Sequence, residues 1–413
     1  MDSLPIIIHE HEAISEEFRE SIKDIAFVGN PNYMGSPKYM GIDSEYRASY
    51  YIGADWLLEN EQAVAVLPKM ENTDFMGMFV AALDVNSQHE ADYFSKCYGI
   101  QLEKPAIELP KELNQLTPLM ILHYISLLTK LTKRELKKDY VTRQENLKSK
   151  IKGKILFSKH LQQNIFPHRE EQIFCQFQDY TVDIPENRLL KKALIFAEQI
   201  ISRYVSFKKR YNDLKPQLNK LSTAFQEVSA DIELYEVRKI RTNKMFKEYN
   251  EAIRVAKMIL RRFDYSLDNV NEENRLSPPF WIDMARLYEM WVWKKLTEVS
   301  LHHIDFQEEG FYKKQVADYV IRKEYLILDA KYKELYANNS SDINDIRELS
   351  GNARDESLLF DVDEKFSPRC IILYPGNSDE LKSENEKLIC EQGTRIHGYR
   401  GFYKISIPLP RTL

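Results

Sequence analysis

Two aspartates and a lysine stand on runs that are otherwise apolar: Val316-Ala317-Asp318-Tyr319-Val320-Ile321 and Tyr325-Leu326-Ile327-Leu328-Asp329-Ala330-Lys331. Both runs read as buried strands, where an ionised carboxylate is costly unless something pairs with it. Side chains alternate along a strand, so Asp329 and Lys331 share a face. If Lys323-Glu324 form a two-residue hairpin loop, Arg322 faces Tyr325 and Asp318 falls directly opposite Asp329. Opposed Cβ atoms are then about 4.5–5.5 Å apart. Two carboxylates at that spacing repel, and one divalent cation held between them removes the conflict. Hard oxygen donors predict Mg²⁺, with Mn²⁺ able to substitute. The chemistry this constellation fits is phosphodiester cleavage. Lys-Glu is a poor pair for a primed hairpin turn, which favours Asn-Gly or Asp-Gly. A charged edge hairpin would account for the same residues without any chemistry, but both strands are too apolar for an exposed edge.

The elements around these strands give a fold class of α/β, α+β overall. Residues 1–112 read as a β-rich domain, with short runs such as Ala63-Val64-Ala65-Val66-Leu67 punctuated by Asn30-Pro31, Gly35-Ser36-Pro37, Gly53 and Pro68. Residues 113–264 form a central β and helical region. Its first helix spans Leu116 to Leu136, and a short β section follows from Ile151 to Phe177. Pro185 then opens a long helix with Leu190, Ala193, Leu194, Ala197, Ile200 and Ile201 on its apolar stripe. Two more helices are expected over Leu218–Val237 and Lys244–Arg262, with breaks at Pro216 and Arg241-Thr242-Asn243. A polar linker from Asp264 to Pro279 leads into the third domain, residues 265–413. There an aromatic helix spans Phe280 to Leu301, the two aspartate strands follow, and a short helix precedes strands near Cys370–Tyr374 and Phe402–Ile407.

The 413 residues suffice for two or three domains. The hydrophobic fraction of 43% and charged fraction of 29% are ordinary for a soluble globular protein. The N-terminus lacks a signal peptide's basic and apolar regions. Cys97, Cys175, Cys370 and Cys390 are scattered, which fits reduced thiols in the cytoplasm better than a zinc site or disulfide framework. A net charge of −5 argues against indiscriminate coating of nucleic acid. Between Lys130 and His160, however, eleven Lys and Arg face only Glu135, Asp139 and Glu145, a stripe that either contacts phosphates or is a solvated face. No G-x-x-x-x-G-K-[ST] is present, so any nucleotide-driven motor belongs to another polypeptide. His9-Glu10-His11-Glu12 and His302-His303 lack metal-site spacing and read as surface histidines. Asn187-Arg188 reads as a helix-opening structural pair.

An apolar strand with Asp, a short gap and then Asp-x-Lys resembles the PD-(D/E)XK nuclease superfamily. Further motifs narrow this. Tyr51-Ile52-Gly53, Val66-Leu67-Pro68-Lys69, Asp139 to Leu147, Ile151-Lys152-Gly153-Lys154-Ile155, Asp183 to Lys191, Asp283 to Glu289 and Ile327 to Lys333 occur in an order that resembles McrC, the nuclease subunit of McrBC-type restriction systems. The resemblance implies a C-terminal PD-(D/E)XK restriction-endonuclease-like domain that cuts double-stranded DNA in response to a modification of the 5-methylcytosine type. It implies Asp318 and Asp329 as metal ligands, with Lys331 orienting the attacking water or stabilising the developing charge. Glu289 would be a further catalytic acid that orients water or makes an outer contact; its bland alternative is an ion pair with Arg286. The implied partner is a GTP-hydrolysing AAA+ ring of the McrB type, docked by residues 1–112.

One departure stands out: Glu348 and Asn352 occupy places where the family often has glutamine and tyrosine. It supports a rival reading, in which the chain is a non-catalytic adaptor that stimulates a partner NTPase. A stand-alone repair nuclease of the same superfamily is a third.

Overall fold

The computed structural model describes residues 5–22, 42, 45–70, 73–83, 87–101, 104–110, 116–203, 211–232, 236, 240, 247–264, 274–300, 302–311, 315–338, 340–358, 368–376, 383–384, 387–388 and 394–411. The expected turns at Asn30-Pro31 and Gly35-Ser36-Pro37, the break at Arg241–Asn243, Cys390 and the middle of the 264–279 linker lie outside these residues. The chain divides into two compact units, one made of Met1–Leu116 with Glu272–Leu413 and the other of Thr117–Asn271.

The first unit begins with β1 (Ile6–His9) and α1 (Glu16–Ile22), followed by the hairpin of β2 (Tyr51–Leu58) and β3 (Gln62–Leu67). Asn60 takes the left-handed conformation in that turn (φ 62°), which asparagine tolerates better than most residues. Helix α2 (Phe75–Ala82) is capped by Asp74, whose carboxylate accepts from Gly77 N at 2.8 Å, and is almost wholly buried. Helix α3 (Gln88–Phe94), β4 (Tyr98–Ile100) and β5 (Ile107–Pro110) complete this stretch.

The second unit contains α4 (Leu116–Thr132), β6 (Asp139–Lys148), β7 (Lys154–Ile155), α5 (Phe157–His160), β8 (Gln172–Thr181), α6 (Pro185–Arg203), α7 (Tyr211–Ala224) and α8 (Lys247–Asp264). The stripe read on α6 is buried in full, from Leu190 to Ile201. Pro216 does not break a helix here. It lies inside α7, which begins at Tyr211 and ends at Ala224, not Val237. As the sixth residue of the helix it forgoes one hydrogen bond to the Asn212 carbonyl, and the helix continues past it to Ala224. Strand β6 was not legible: its ten residues alternate, but only Leu147 among them is buried.

The chain then returns to the first unit. Strand β9 (Asn274–Ser277) pairs with β5, and β10 (Phe280–Asp283) inserts between β2 and β4 in a five-stranded sheet ordered β1-β3-β2-β10-β4. Phe280–Asp283 is therefore strand, not the first turn of the expected helix. All four residues are buried in the sheet, and Asp283 caps α9 (Met284–Val299) by accepting from Arg286 N at 3.1 Å. Gly53 makes this insertion feasible, since at φ +143° a Cβ would run into the Phe280 carbonyl. Where the sequence reading separates 1–112 from 265–413, the structure folds both into one unit, with β10 as the shared strand.

A six-stranded sheet follows, ordered β11-β12-β13-β14-β18-β17. Its members are β11 (Asp305–Glu309), β12 (Val316–Ile321), β13 (Leu326–Ala330), β14 (Arg369–Gly376), β17 (Thr394–Arg395) and β18 (Phe402–Pro408); β15 (Ser383–Glu384) and β16 (Lys387–Leu388) form a separate small hairpin. β11, β12 and β13 are antiparallel, whereas β13, β14 and β18 are parallel. Strands β13 and β14 read as nearly continuous apolar runs, as parallel strands covered on both faces do. Helix α10 (Ile343–Asn352) lies in the crossover between them and buries Ile346 and Leu349 in the same core as Val320, Ile327 and Ile372. The architecture is mixed α/β.

Candidate metal-dependent active site

The register Ile321↔Leu326, Val320↔Ile327, Tyr319↔Leu328, carried one pair further, sets Asp318 opposite Asp329. The loop is not a two-residue primed turn. Arg322–Glu324 form a 3₁₀ turn and Tyr325 takes a left-handed conformation (φ 54°), closing a longer loop that keeps the same register. This removes the conflict between Lys-Glu and a primed turn.

Asp318 Oδ2 accepts from Ala330 N at 2.8 Å and Oδ1 from Gln307 Nε2 at 2.9 Å. Asp329 is only 4% exposed. Lys331 Nζ lies 2.9 Å from Asp329 Oδ2, yet that buried oxygen receives no aligned hydrogen bond. The same ammonium reaches Glu348 Oε2 at 3.0 Å, while Lys331 N donates to Leu373 O and fixes the backbone at the end of β13. Glu289 projects from α9 into this cluster. Its Oε2 accepts from the Tyr93 hydroxyl and from Gln307 Nε2 at 3.0 Å. The Tyr319 hydroxyl donates to the Glu289 carbonyl at 2.6 Å, locking the helix to β12. Arg286 is not the partner of Glu289; it pairs with Asp283 at 3.5 Å.

Burial, then repulsion from Glu289, pushes Asp318 up to about 7. Burial, reinforced by Asp283 and Asp329 against the Tyr93 hydrogen bond, pushes Glu289 up to about 8. Burial and then Asp318 raise Asp329 as well. Burial works against the charge on Lys331, but Asp329 and Asp318 outweigh it and hold the ammonium above its ordinary value. The cluster therefore carries more carboxylate than its own lysine neutralises.

Among the described residues, no group of three or more His, Cys, Asp and Glu side chains is arranged as a preformed cation cage. What stands here is a pair of aspartates. Mg²⁺ is ordinarily held by one or two carboxylates with the rest of its shell supplied by water and phosphate. The wholly oxygen donor set of Asp318 and Asp329 fits that requirement.

Tyr93 and Gln307 were not found from sequence. Tyr93 lies on α3, 196 positions from Glu289. Gln307 sits in β11 with φ 53°, a left-handed conformation inside a strand that costs roughly 1–3 kcal/mol. No local pattern announces either residue. The weaker candidates resolve as structure. His9 Nδ1 contacts Pro68 O, Glu10 is buried against Lys69 and Tyr332, and His303 pairs with Asp305 at 3.1 Å. Asn187 is fully buried and donates to Lys137 O and Val182 O, while Arg188 grips Asp183 with two hydrogen bonds. Several cations of the basic stripe are paired within their own unit, among them Lys137 with Glu186, Arg143 with Asp179 and Lys148 with Glu171. Asn352 is buried and its amide lies 3.4 Å from Val316 O, away from the cluster.

A family model described as McrBC 5-methylcytosine restriction system component matches residues 47–349. The chain belongs to this family. The matched span covers most of the sequence of this McrBC-family member and includes Tyr93, Glu289, Gln307, Asp318, Asp329, Lys331 and Glu348. No curated protein matches the chain. Among solved structures it is similar to a chain of a half-complex from a tetradecameric assembly of Thermococcus gammatolerans McrB AAA+ hexamers with bound McrC, at 16% identity and a TM-score of 0.40, covering 98% of this chain and 94% of that one. It is also similar to a chain of the Thermococcus gammatolerans McrBC complex, at 15% identity and a TM-score of 0.30, covering 71% of this chain and 87% of that one. Among the described residues, no helix is long and apolar enough to cross a membrane.

Proposed function

We propose that the chain is the DNA-cutting subunit of a modification-dependent restriction system, a Mg²⁺-dependent endonuclease of the PD-(D/E)XK type acting with a GTP-hydrolysing AAA+ ring. The observation that carries this reading is the opposition of Asp318 and Asp329 on buried strands with Lys331 beside them. Family membership supports the restriction role, and the lack of a P-loop in the chain supports a separate motor, with residues 1–112 as the segment that docks on it.

When bound, the cation would be held by Asp318 and Asp329 and would supply Lewis-acid charge for hydrolysis of the phosphodiester. Lys331 stays protonated at neutral pH, because the carboxylates beside it outweigh its burial. It therefore acts as a hydrogen-bond donor to negative charge developing on phosphate, not as a base. Glu289, tied to Tyr93 and Gln307, orients water at the edge of the pair. The pairing of Lys331 with Glu348 favours the adaptor as a second reading, because it engages the lysine with a protein carboxylate.

Calorimetric titration with Mn²⁺ separates the two. On the nuclease reading the chain binds Mn²⁺, and Asp318→Ala removes the binding. A wild-type chain with no Mn²⁺ heat, or an Asp318→Ala chain with unchanged affinity, would favour the adaptor.

A further inference from the structure

Among the described residues, Gln307 is the one side chain that touches two carboxylates of the cluster from a neutral group. Its Nε2 donates to Asp318 Oδ1 at 2.9 Å and to Glu289 Oε2 at 3.0 Å. An amide –NH₂ has two hydrogens, and both are used here. The two acceptors fix which end of the amide faces them, since the carbonyl end would meet two carboxylate oxygens with no donor of its own. The space between Glu289 and Asp318 is thus filled by a donor that cannot ligate a cation.

The backbone confirms that this placement is imposed. The β11–β12 register is the same on either side of Gln307, with Phe306↔Tyr319 before it and Glu308↔Ala317 after it. Gln307 itself takes φ 53° in the middle of that strand, where neither glycine nor asparagine relieves the strain. Ordinary pairing on both sides holds a strained residue directly across from Asp318, as strain at a functional position requires.

The carboxylates also differ in how the protein satisfies them. Glu289 Oε2 receives both the Tyr93 hydroxyl and the Gln307 amide. Asp318 receives Gln307 and Ala330 N. Asp329 Oδ2 is buried with the Lys331 ammonium 2.9 Å away and no neutral donor on it. Neutral donors thus occupy the Glu289 side of the cluster, and the Lys331 ammonium stands on the Asp329 side.

We propose that Gln307 is a positioning residue that limits this site to a single divalent cation, on Asp318 and Asp329, by bridging Glu289 to Asp318 with its amide. Glu289 then serves from the outer shell, and a second cation between Glu289 and Asp318 is barred by the amide. This rests on the metal-site reading above and specifies its stoichiometry.

The test is titration of the full-length chain with Mn²⁺ alone, followed by calorimetry, for wild type, Gln307→Glu, Gln307→Ala and Asp329→Ala. Gln307→Glu keeps the size of the side chain and replaces the barring donor by a fourth carboxylate. Gln307→Ala removes the bridge, and neither variant changes the backbone demand at this position. The wild-type chain is expected to bind one Mn²⁺, and both Gln307 variants are expected to show a second binding event. Two ions on the wild-type chain, or a single event of unchanged affinity in both variants, would overturn the role of Gln307 while leaving the metal site standing. Absence of Mn²⁺ binding in wild type, or full binding by Asp329→Ala, would instead overturn the site itself.

Discussion

Lys331→Ala is expected to lower DNA cleavage by about 10²–10³-fold while the chain still binds Mn²⁺, the loss typical when one preorganised donor to transition-state charge is removed. Lys331 is not a ligand in this account. Its ammonium lies 2.9 Å from Asp329 and 3.0 Å from Glu348, in a position to meet negative charge that grows on the phosphate. Removing it leaves Asp318 and Asp329 in place and takes one cation from a cluster rich in carboxylate, so Mn²⁺ affinity should hold or rise. Cleavage rates and Mn²⁺ calorimetry on the same preparations check both halves. Loss of Mn²⁺ binding in Lys331→Ala would mean that the lysine organises the ligands rather than the phosphate.

The second large effect concerns stability and pH. Asp318 is pushed up to about 7 and Glu289 to about 8, in each case chiefly by burial. A carboxyl whose folded pKa lies above its unfolded value holds its proton in the fold at pH values where the unfolded chain has lost it. Its stabilising contribution is complete below about pH 4 and is lost as the pH rises through the folded value. Without divalent cations, the chain should therefore lose about 2 kcal/mol or more from these groups between roughly pH 5 and pH 8.5. A cation competes with those protons, so the stabilisation it confers should grow over the same window. At about a hundred times its dissociation constant, Mn²⁺ should add roughly 3 kcal/mol at pH 8.5 and close to nothing at pH 5. Thermal or urea unfolding with and without Mn²⁺ at the two pH values reads this directly. An Mn²⁺ effect that does not depend on pH would show that the carboxyl cluster is not where the ion binds.

Much of the central site was legible because it obeys local rules. The alternation of a strand and the constant sum of paired positions across a hairpin sufficed to set Asp318 against Asp329, even though the turn was misread. That turn needed Tyr325 in a left-handed conformation, which a tyrosine does not advertise in sequence. The boundary of α9 failed for a related reason. Phe280-Trp281-Ile282 is as apolar as the helix it precedes, and only tertiary pairing with β2 and β4 makes it strand. The same pairing joins the N-terminal segment to the chain that follows the linker, so a domain boundary drawn from the polar linker could not reveal it. Pro216 shows the converse error, since the helix runs through it at the cost of one backbone hydrogen bond and ends eight residues later. Tyr93 and Gln307 mark the limit of the sequence. Both act on Glu289 through contacts that depend on the assembled sheet, and neither stands in a pattern that separates it from an ordinary surface residue.

The most direct test of the central claim is cleavage of cytosine-modified DNA by the chain reconstituted with a GTP-hydrolysing AAA+ partner in Mg²⁺, comparing wild type with Asp329→Ala at equal assembly. The account predicts cleavage by the wild-type complex and none by the variant, with GTP hydrolysis retained in both. Full cleavage by the Asp329→Ala complex would contradict it.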